Sequence, residues 1–257
     1  MTGTMLSAVG SGSLVGFMLG LVGGGGSILA TPLLLYVVGV ASPHVAIGTG
    51  ALAVSVNAFA NFTGHALKGN VWWRCAIVFA VIGTLGALVG SSIGKAMDGQ
   101  HLLALFALLM MVVGGLMLKP RRDRGSAQRP VDLRMCLMTA LVALMAGMAS
   151  GFFGIGGGFL IVPGLMFATG MPMFSAVGSS LLAVGALGLA TAVNYAASGL
   201  VDWPLAAEFI GGGILGGFVG TALAARLAGK KGLLNRIFAA IIFAVAIYML
   251  WNSLAAH

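Results

Sequence analysis

Charged side chains are scarce in this sequence. Asp, Glu, Lys and Arg together make up 7% of its 257 residues, whereas hydrophobic residues make up 60%. So few polar groups cannot cover the surface of a water-soluble globule of this size. The composition therefore excludes a soluble protein and indicates an integral membrane protein.

Acidic residues are the scarcest charged type, with five Asp and Glu in the whole chain. Four of them fall in predicted loops, and Glu208 is the only carboxylate some way into a predicted helix. This distribution argues against a cation site or a proton relay built from several carboxylates. For Glu208 itself, an interfacial position and a role in coupling both stay open.

Cysteines and catalytic motifs are equally sparse. The two cysteines, Cys75 and Cys136, lack metal-ligand spacing and are expected to be free thiols. No Ser/His/Asp set, HExxH motif or pair of carboxylates is present, so catalysis within the membrane has little support. No strand precedes the glycine clusters, which argues against a bound dinucleotide. We therefore expect neither an enzyme nor a metal or other cofactor.

Long apolar runs fill most of the chain. Most reach the roughly 20 residues that an α-helix needs to cross the hydrocarbon core of a bilayer, while the second and seventh are shorter. Because unpaired backbone groups are costly in lipid and strand-type alternation is absent, these runs are expected to be helices. The predicted segments are 5–22, 27–41, 45–66, 72–94, 101–118, 134–153, 158–170, 174–197, 203–226 and 233–252.

The two halves of the chain repeat. Pro32 aligns with Pro163 and, after one deletion, "AIGTG" (46–50) aligns with "AVGSS" (176–180). Farther on, "GTLGALVG" aligns with "GGILGGFVG", a glycine spacing typical of close helix packing. A match spread over several places indicates an internal duplication. The predicted organisation is a transmembrane repeat at 1–118, a basic cytoplasmic linker at 119–133 and a second transmembrane repeat at 134–257.

Basic residues set the predicted topology. Twelve of the 13 lie in the stretches 68–74, 119–134 and 226–236, and Lys and Arg collect in cytoplasmic loops. Placing these stretches in the cytoplasm leaves both termini in the periplasm and gives the repeats opposite orientations. Inverted repeats are common in secondary transporters, with the substrate site at their interface. The predicted fold is an all-α integral membrane protein with two inverted repeats of about five segments each.

A glycine cluster precedes each short segment, "GGGGS" at 23–27 and "GIGGG" at 154–158. Neither carries a charge, so segments two and seven are predicted to be short or re-entrant. Glycines let the backbone turn tightly, and the following helix would aim its amide groups into a cavity. Close helix packing is an equally open explanation. The predicted anion-binding residues here are Gly25, Gly26, Ser27, Gly156, Gly157 and Gly158.

Segments three and eight carry the other polar signal. Asn57 and Asn61 are four residues apart and share one face of a helix. Hydroxyl and amide groups that line a cavity suit an oxyanion, although hydrogen bonds between helices explain them equally well. The predicted substrate-binding residues in these segments are Thr49, Asn57, Asn61, Ser179, Ser180 and Asn194.

Three further expectations concern the substrate, the glycine turns and the prolines that follow them. No Lys or Arg lies deep in an apolar segment, so an anion would be bound without a salt bridge. If the turns form cradles, valine at Gly26 or Gly157 should block transport and leave the fold largely intact, because the new side chain would meet solvent or ligand. Pro32 and Pro163 are expected in or near the first turns of the following helices, where a missing N–H costs least.

The duplicated "GLVGGGGSILATPLL" and "GFFGIGGGFLIVPGL", each followed by "AIGTG" or "AVGSS" and then "NVWW" or "LVDW", resemble the sulfite exporter TauE/SafE family of bacterial membrane permeases. The resemblance covers nearly the whole chain. It implies a multi-pass permease of the bacterial inner membrane that exports a small anion of the sulfite or sulfoacetate class. Its partners would be that anion and the lipid bilayer, without nucleic acid. The alternative is a membrane scaffold or assembly factor without transport activity, and an intramembrane enzyme ranks third.

Overall fold

The computed structural model of the chain describes residues 2–67, 69–118, 133–171, 173–226, 240 and 242–251. Within these ranges the regular structure is helical throughout. The helices are α1 Thr2–Val22, α2 Gly24–Val38, α3 Pro43–Leu67, α4 Trp73–Ala96, α5 Gly99–Leu118, α6 Leu133–Phe153, α7 Gly158–Thr169, α8 Met173–Ala196, α9 Trp203–Arg226 and α10 Ile242–Trp251.

The helical part of the fold prediction is confirmed. Helices α1 to α9 begin and end within three residues of the predicted segments. Among the described residues, six helices are long and apolar enough to cross a membrane, namely α1, α3, α4, α6, α8 and α9. Helices α2 and α7 are shorter, as predicted. Residues 119–132, which make up nearly all of the predicted basic linker, lie outside the described residues, as do Lys68 and residues 227–239.

Helices α1 and α9 pack backbone against backbone because small residues face each other along their whole contact. A side chain at Gly12, Gly16 or Gly20 of α1 would collide with the backbone of Phe209, Gly213 or Gly217 of α9, respectively. Residue numbers rise together along this contact, so the two helices run in the same direction. The glycines of "GGILGGFVG" therefore serve close packing, as their spacing predicts.

Helices α4 and α6 form a second contact of the same kind. A Cβ atom at Gly90 or Gly94 of α4 would overlap the carbonyl oxygen of Met148 or Phe152, respectively. In the other direction, Gly147 of α6 lies against the backbone of Gly83. These helices also run in the same direction, and they belong to different halves of the chain.

Helices α3 and α8 cross at the centre of the molecule and are the most buried of the six long helices. They run in opposite directions, since Gly48 lies beside Tyr195 and Gly178 lies beside His65. At their crossing, the Ser55 hydroxyl donates a 2.7 Å hydrogen bond to the Gly185 carbonyl oxygen. Helix α4 also contacts α8, and α9 contacts α3. The core is therefore an α3–α8 pair flanked by the α4–α6 and α1–α9 pairs.

Candidate functional site

The chain doubles back sharply at both glycine clusters, where the backbone enters conformations that residues with a side chain rarely adopt. Gly23 has φ 78° after α1, and Gly154, Gly156 and Gly157 have φ between 64° and 66° after α6. In this left-handed region only glycine avoids the steric cost of a Cβ atom. The first cluster continues into a 3₁₀ turn at Gly24–Leu29, whereas the second leads into the α-helix α7.

The two turns meet each other although they lie in opposite halves of the chain. A Cβ atom at Gly24 would overlap the Gly158 backbone, and one at Gly158 would overlap the Gly24 backbone. The turns also rest on the central helix pair, because Gly23 lies against Val177 of α8 and Gly154 against Ile47 of α3. The start of α2 and the start of α7 are thus held tip to tip beside α3 and α8.

Gly26 and Gly157 face packed protein. A Cβ atom at Gly26 would overlap the Leu19 amide nitrogen, and one at Gly157 would lie 2.5 Å from the Ser150 Cβ atom. The expectation that valine at these positions meets only solvent or ligand is therefore wrong, since the new side chain would displace α1 or α6 atoms. Pro163 is the sixth residue of α7, near the first turn but beyond the amide groups that lack partners within the helix.

Three buried side chains of α2, α3 and α6, the helices that adjoin the turns, have polar atoms without a hydrogen-bond partner among the described residues. They are Thr31 in α2, Ser150 in α6 and Asn57 in α3. Ser150 is fully buried, and its hydroxyl oxygen is 2.6 Å from where a Cβ atom of Gly157 would stand. This hydroxyl lies next to the first turn of α7, and the first amide groups of a helix also lack partners within the helix. Hydrogen-bonding groups without a partner in their own helix are therefore close together here.

Sequence reasoning did not select Ser150 or Thr31. Each is a single small polar residue inside an apolar run, where hydroxyls commonly bond to their own helix and carry no distinctive signal. The position of Ser150, four residues before Gly154, would have been the only pointer.

The predicted hydroxyl ligands already have protein partners. Thr49 accepts a hydrogen bond from the Asp202 amide, and Ser179 accepts one from the Trp72 amide, both at 3.0 Å. Ser180 donates to the Val177 carbonyl oxygen and Ser27 donates to that of Gly24. Thr49 and Ser179 therefore tie the central helices to the loops that precede α9 and α4.

The two asparagines of α3 differ in their pairing. Asn61 donates a 2.9 Å hydrogen bond from its amide to the Asn57 carbonyl oxygen and packs on Gly217. Asn57 packs on Gly213, and both its side-chain nitrogen and oxygen lack a partner among the described residues. Of these two asparagines, Asn57 is therefore the one whose side-chain amide has no hydrogen-bond partner among the described residues.

Asn194 belongs to a different group of side chains. It lies near the end of α8, nine residues and about 13 Å along the helix axis from Gly185. Its amide donates to Ser91 at 2.6 Å and to Ser92 at 3.0 Å, while its side-chain and backbone oxygens accept from Lys95. A lysine at this place satisfies carbonyl groups at the C-terminal end of α8. The side chain of Asn194 thus joins the end of α8 to α4.

Comparisons with known proteins agree on a transporter family. A protein-family model described as "Sulfite exporter TauE/SafE" matches residues 8–249. A Xylella fastidiosa (strain Temecula1) protein named "Probable membrane transporter protein" is 62% identical over 98% of this chain and 97% of its own length. "Probable membrane transporter protein YunE" of Bacillus subtilis (strain 168) is 25% identical over 82% and 85% of the two chains. No solved structure matches the chain.

Proposed function

Because this chain belongs to the sulfite exporter TauE/SafE family of membrane transporters, we propose that it exports a small anion across the bacterial inner membrane by alternating access. The substrate class that we propose is a sulfur oxyanion or an organosulfonate, such as sulfite or sulfoacetate. The family description and the uncharged character of the buried polar groups both support this choice. None of the relatives compared above has a name that states a substrate.

The observation that carries the proposal is the contact between the two glycine turns. Turns that touch each other cannot lie on opposite faces of a membrane, and this contact supports the proposal that α2 and α7 are re-entrant and begin within the membrane. Broken helices whose starts converge inside the membrane are the usual site architecture of secondary transporters. Irregular backbone is tolerated at this depth where it is buried in protein or lines a cavity.

The helix contacts support an inverted repeat. In the sequence alignment α1 corresponds to α6 and α9 to α4, and the close contacts α1–α9 and α6–α4 are each other's counterparts. The hydrogen bond from Asp202 to Thr49 likewise matches the one from Trp72 to Ser179, in the register that aligns "AIGTG" with "AVGSS". Such reciprocity is expected when two equivalent halves face opposite sides of the membrane.

The site that we propose lies around the meeting point of the turns. The Ser150 hydroxyl and the first amide groups of α7 supply hydrogen-bond donors that have no charge, and a helix start favours an anion. The predicted substrate-binding residues remain part of this proposal, and the unpaired hydroxyls of Thr31 and Ser150 are added to them. The predicted set is Gly25, Gly26, Ser27, Thr49, Asn57, Asn61, Gly156, Gly157, Gly158, Ser179, Ser180 and Asn194.

Under this proposal, export does not require a buried carboxylate that couples transport to an ion gradient. The membrane potential alone favours expulsion of an anion from a negative interior by about 2.3 kcal/mol per charge for each 100 mV. Arg74 at the start of α4 is exposed and suits a role in attracting anions to the cytoplasmic face rather than in holding them.

Flux measurements test the proposed function. In proteoliposomes, the purified protein should conduct sulfite or an organosulfonate, and an imposed potential should change the initial rate with the sign expected for an anion. Sulfate and small carboxylates serve as comparison anions, and empty liposomes set the background. No flux above that background for any anion of the panel would contradict the proposal and favour the scaffold alternative.

The proposed topology gives a separate prediction. A single cysteine at residue 125, in an otherwise cysteine-free protein, should resist a membrane-impermeant maleimide in intact cells and react after the inner membrane is permeabilised, because the basic linker is placed in the cytoplasm. A cysteine after the last residue should react in intact cells with a permeable outer membrane. The opposite pattern would reject both the topology and the orientation of the repeats.

A further inference from the structure

Asn57 holds a side-chain amide in the interior without a hydrogen-bond partner in the described part of the chain. Its side chain is 0% exposed, and both the amide nitrogen and the amide oxygen lack a hydrogen-bond partner among the described residues. The amide rests on Gly213 of α9, where a Cβ atom would overlap it. A buried amide without partners is costly to the folded state, and such groups in native proteins call for a specific explanation.

The other half of the chain shows that this position does not require an amide. In the register that aligns "AIGTG" with "AVGSS", Asn57 corresponds to Leu187 and Gly213 to Gly83. Leu187 packs on Gly83 just as Asn57 packs on Gly213, with a leucine methyl carbon 2.9 Å from where a Cβ atom of Gly83 would stand. Leucine and asparagine have similar shapes, so the same helix–helix contact is built with an apolar side chain.

One turn later, α3 and α8 carry the same hydrogen bond at equivalent positions. Asn61 donates to the carbonyl oxygen four residues earlier, and its counterpart Thr191 does the same at 3.0 Å. Both of these polar side chains are therefore paired within their own helix. The equivalence fails one turn earlier, where one half has an unpaired amide and the other has a leucine.

We infer that the Asn57 amide contacts the transported anion directly, and that this contact is supplied by the N-terminal half alone. The inference rests on the proposed function and makes its site asymmetric. The amide nitrogen donates to an oxygen of the anion when alternating access loosens the contact between α3 and α9. The amide oxygen then accepts from a hydroxyl of the substrate or from a water that accompanies it.

Substitution of Asn57 by leucine tests the inference, because the chain itself demonstrates that leucine fits. Purified Asn57→Leu should melt in detergent at or above the temperature of the parent protein, since an unpaired buried amide is removed. Addition of sulfite should raise the melting temperature of the parent but not of the variant. Sulfite flux should fall by about tenfold or more, the loss expected when a hydrogen bond to a charged group is removed.

Two further variants make the result unambiguous. Asn57→Ala cannot crowd α9 and should also lose the response to sulfite. Thr191→Val removes a buried hydroxyl that is already paired within its helix, and it should keep both sulfite flux and sulfite-dependent stabilisation near the values of the parent protein.

The outcomes separate this inference from the proposed function. If the parent responds to sulfite and either Asn57 variant retains that flux and stabilisation, the inference is overturned while the proposed function stands. Equal losses in Thr191→Val and Asn57→Leu would also overturn it, because a general sensitivity of the core would explain both. If the parent shows neither flux nor stabilisation with sulfite or any other anion of the panel, the proposed function fails and the inference fails with it.

Discussion

Replacement of Gly216 by leucine should separate α1 from α9 and largely prevent the protein from accumulating in the membrane. A Cβ atom at Gly216 would overlap the carbonyl oxygen of Ser13, a backbone atom that cannot rotate away. Overpacking of a close-packed interior commonly costs about 1 to 3 kcal/mol. Here the cost should reach the upper end of that range or exceed it, because two backbones must move apart along a contact that depends on small residues.

Gly211 provides the matched control for this prediction. It lies in the same helix, five residues before Gly216, and a Cβ atom there would have no atom within 4 Å. Gly211→Leu should therefore accumulate to the level of the parent protein and melt within a few degrees of it. Membrane abundance by immunoblot and unfolding in detergent are the measurements. Comparable losses in the two variants would show that α9 tolerates neither substitution and that the contact with α1 is not the cause.

Replacement of Gly158 by alanine should abolish anion flux by forcing the two glycine turns apart. The added methyl group would overlap the backbone of Gly24. Alanine is favoured over glycine by about 1 kcal/mol in a helix interior, so at the first residue of α7 the substitution should by itself not destabilise the protein. A lower melting temperature would therefore come from the contact between the turns, because the substitution alone does not predict it.

Flux in proteoliposomes and unfolding in detergent should be measured together for Gly158→Ala. We expect flux near the background of empty liposomes and a melting temperature below that of the parent. Gly64→Ala is the control, because it adds the same methyl group to α3 where nothing lies within 4 Å. A Gly158→Ala protein that melts higher and transports normally would mean that the turns need not touch during the transport cycle.

The sequence was sufficient to predict the helices because their signal is local. Apolar runs of sufficient length, ended by glycine or polar loops, identify α1 to α9 within three residues. The packing role of the "GGILGGFVG" glycines was also predictable, since small residues at such a spacing have few other uses in lipid. Both predictions depend on residues close together in the chain.

The contact between the turns could not be predicted because it has no chemical signature. Gly24 and Gly158 meet through backbone atoms alone, and a glycine carries no charge or shape that points to its partner. The same limit explains why Gly26 was expected to face a cavity. Whether a glycine borders open space or another backbone depends on the tertiary arrangement, which hydropathy does not report.

The polar side chains of α3 and α8 illustrate a second limit. Their hydrogen-bonding types were apparent from the sequence, yet Thr49 and Ser179 turned out to hold loops, whereas Asn57 has no partner among the described residues. Pairing is decided by what lies opposite, so similar residues on one helix acquire different roles. The alignment of Asn57 with Leu187 was visible in the sequence, but its meaning depended on finding the amide unpaired.

The pairing of α1 with α9 imposes an order on the synthesis of this protein. Helix α1 ends at Val22, whereas α9 begins only at Trp203, so most of the chain is made between them. At ribosomal rates of about 5 to 20 residues per second, roughly ten to forty seconds pass between the synthesis of α1 and that of α9. During this time the glycine face of α1 lies in the bilayer without its partner helix. Insertion machinery or lipid must shield that face during the delay. A nascent chain truncated before α9 would leave it uncovered and become a target for membrane quality-control proteases.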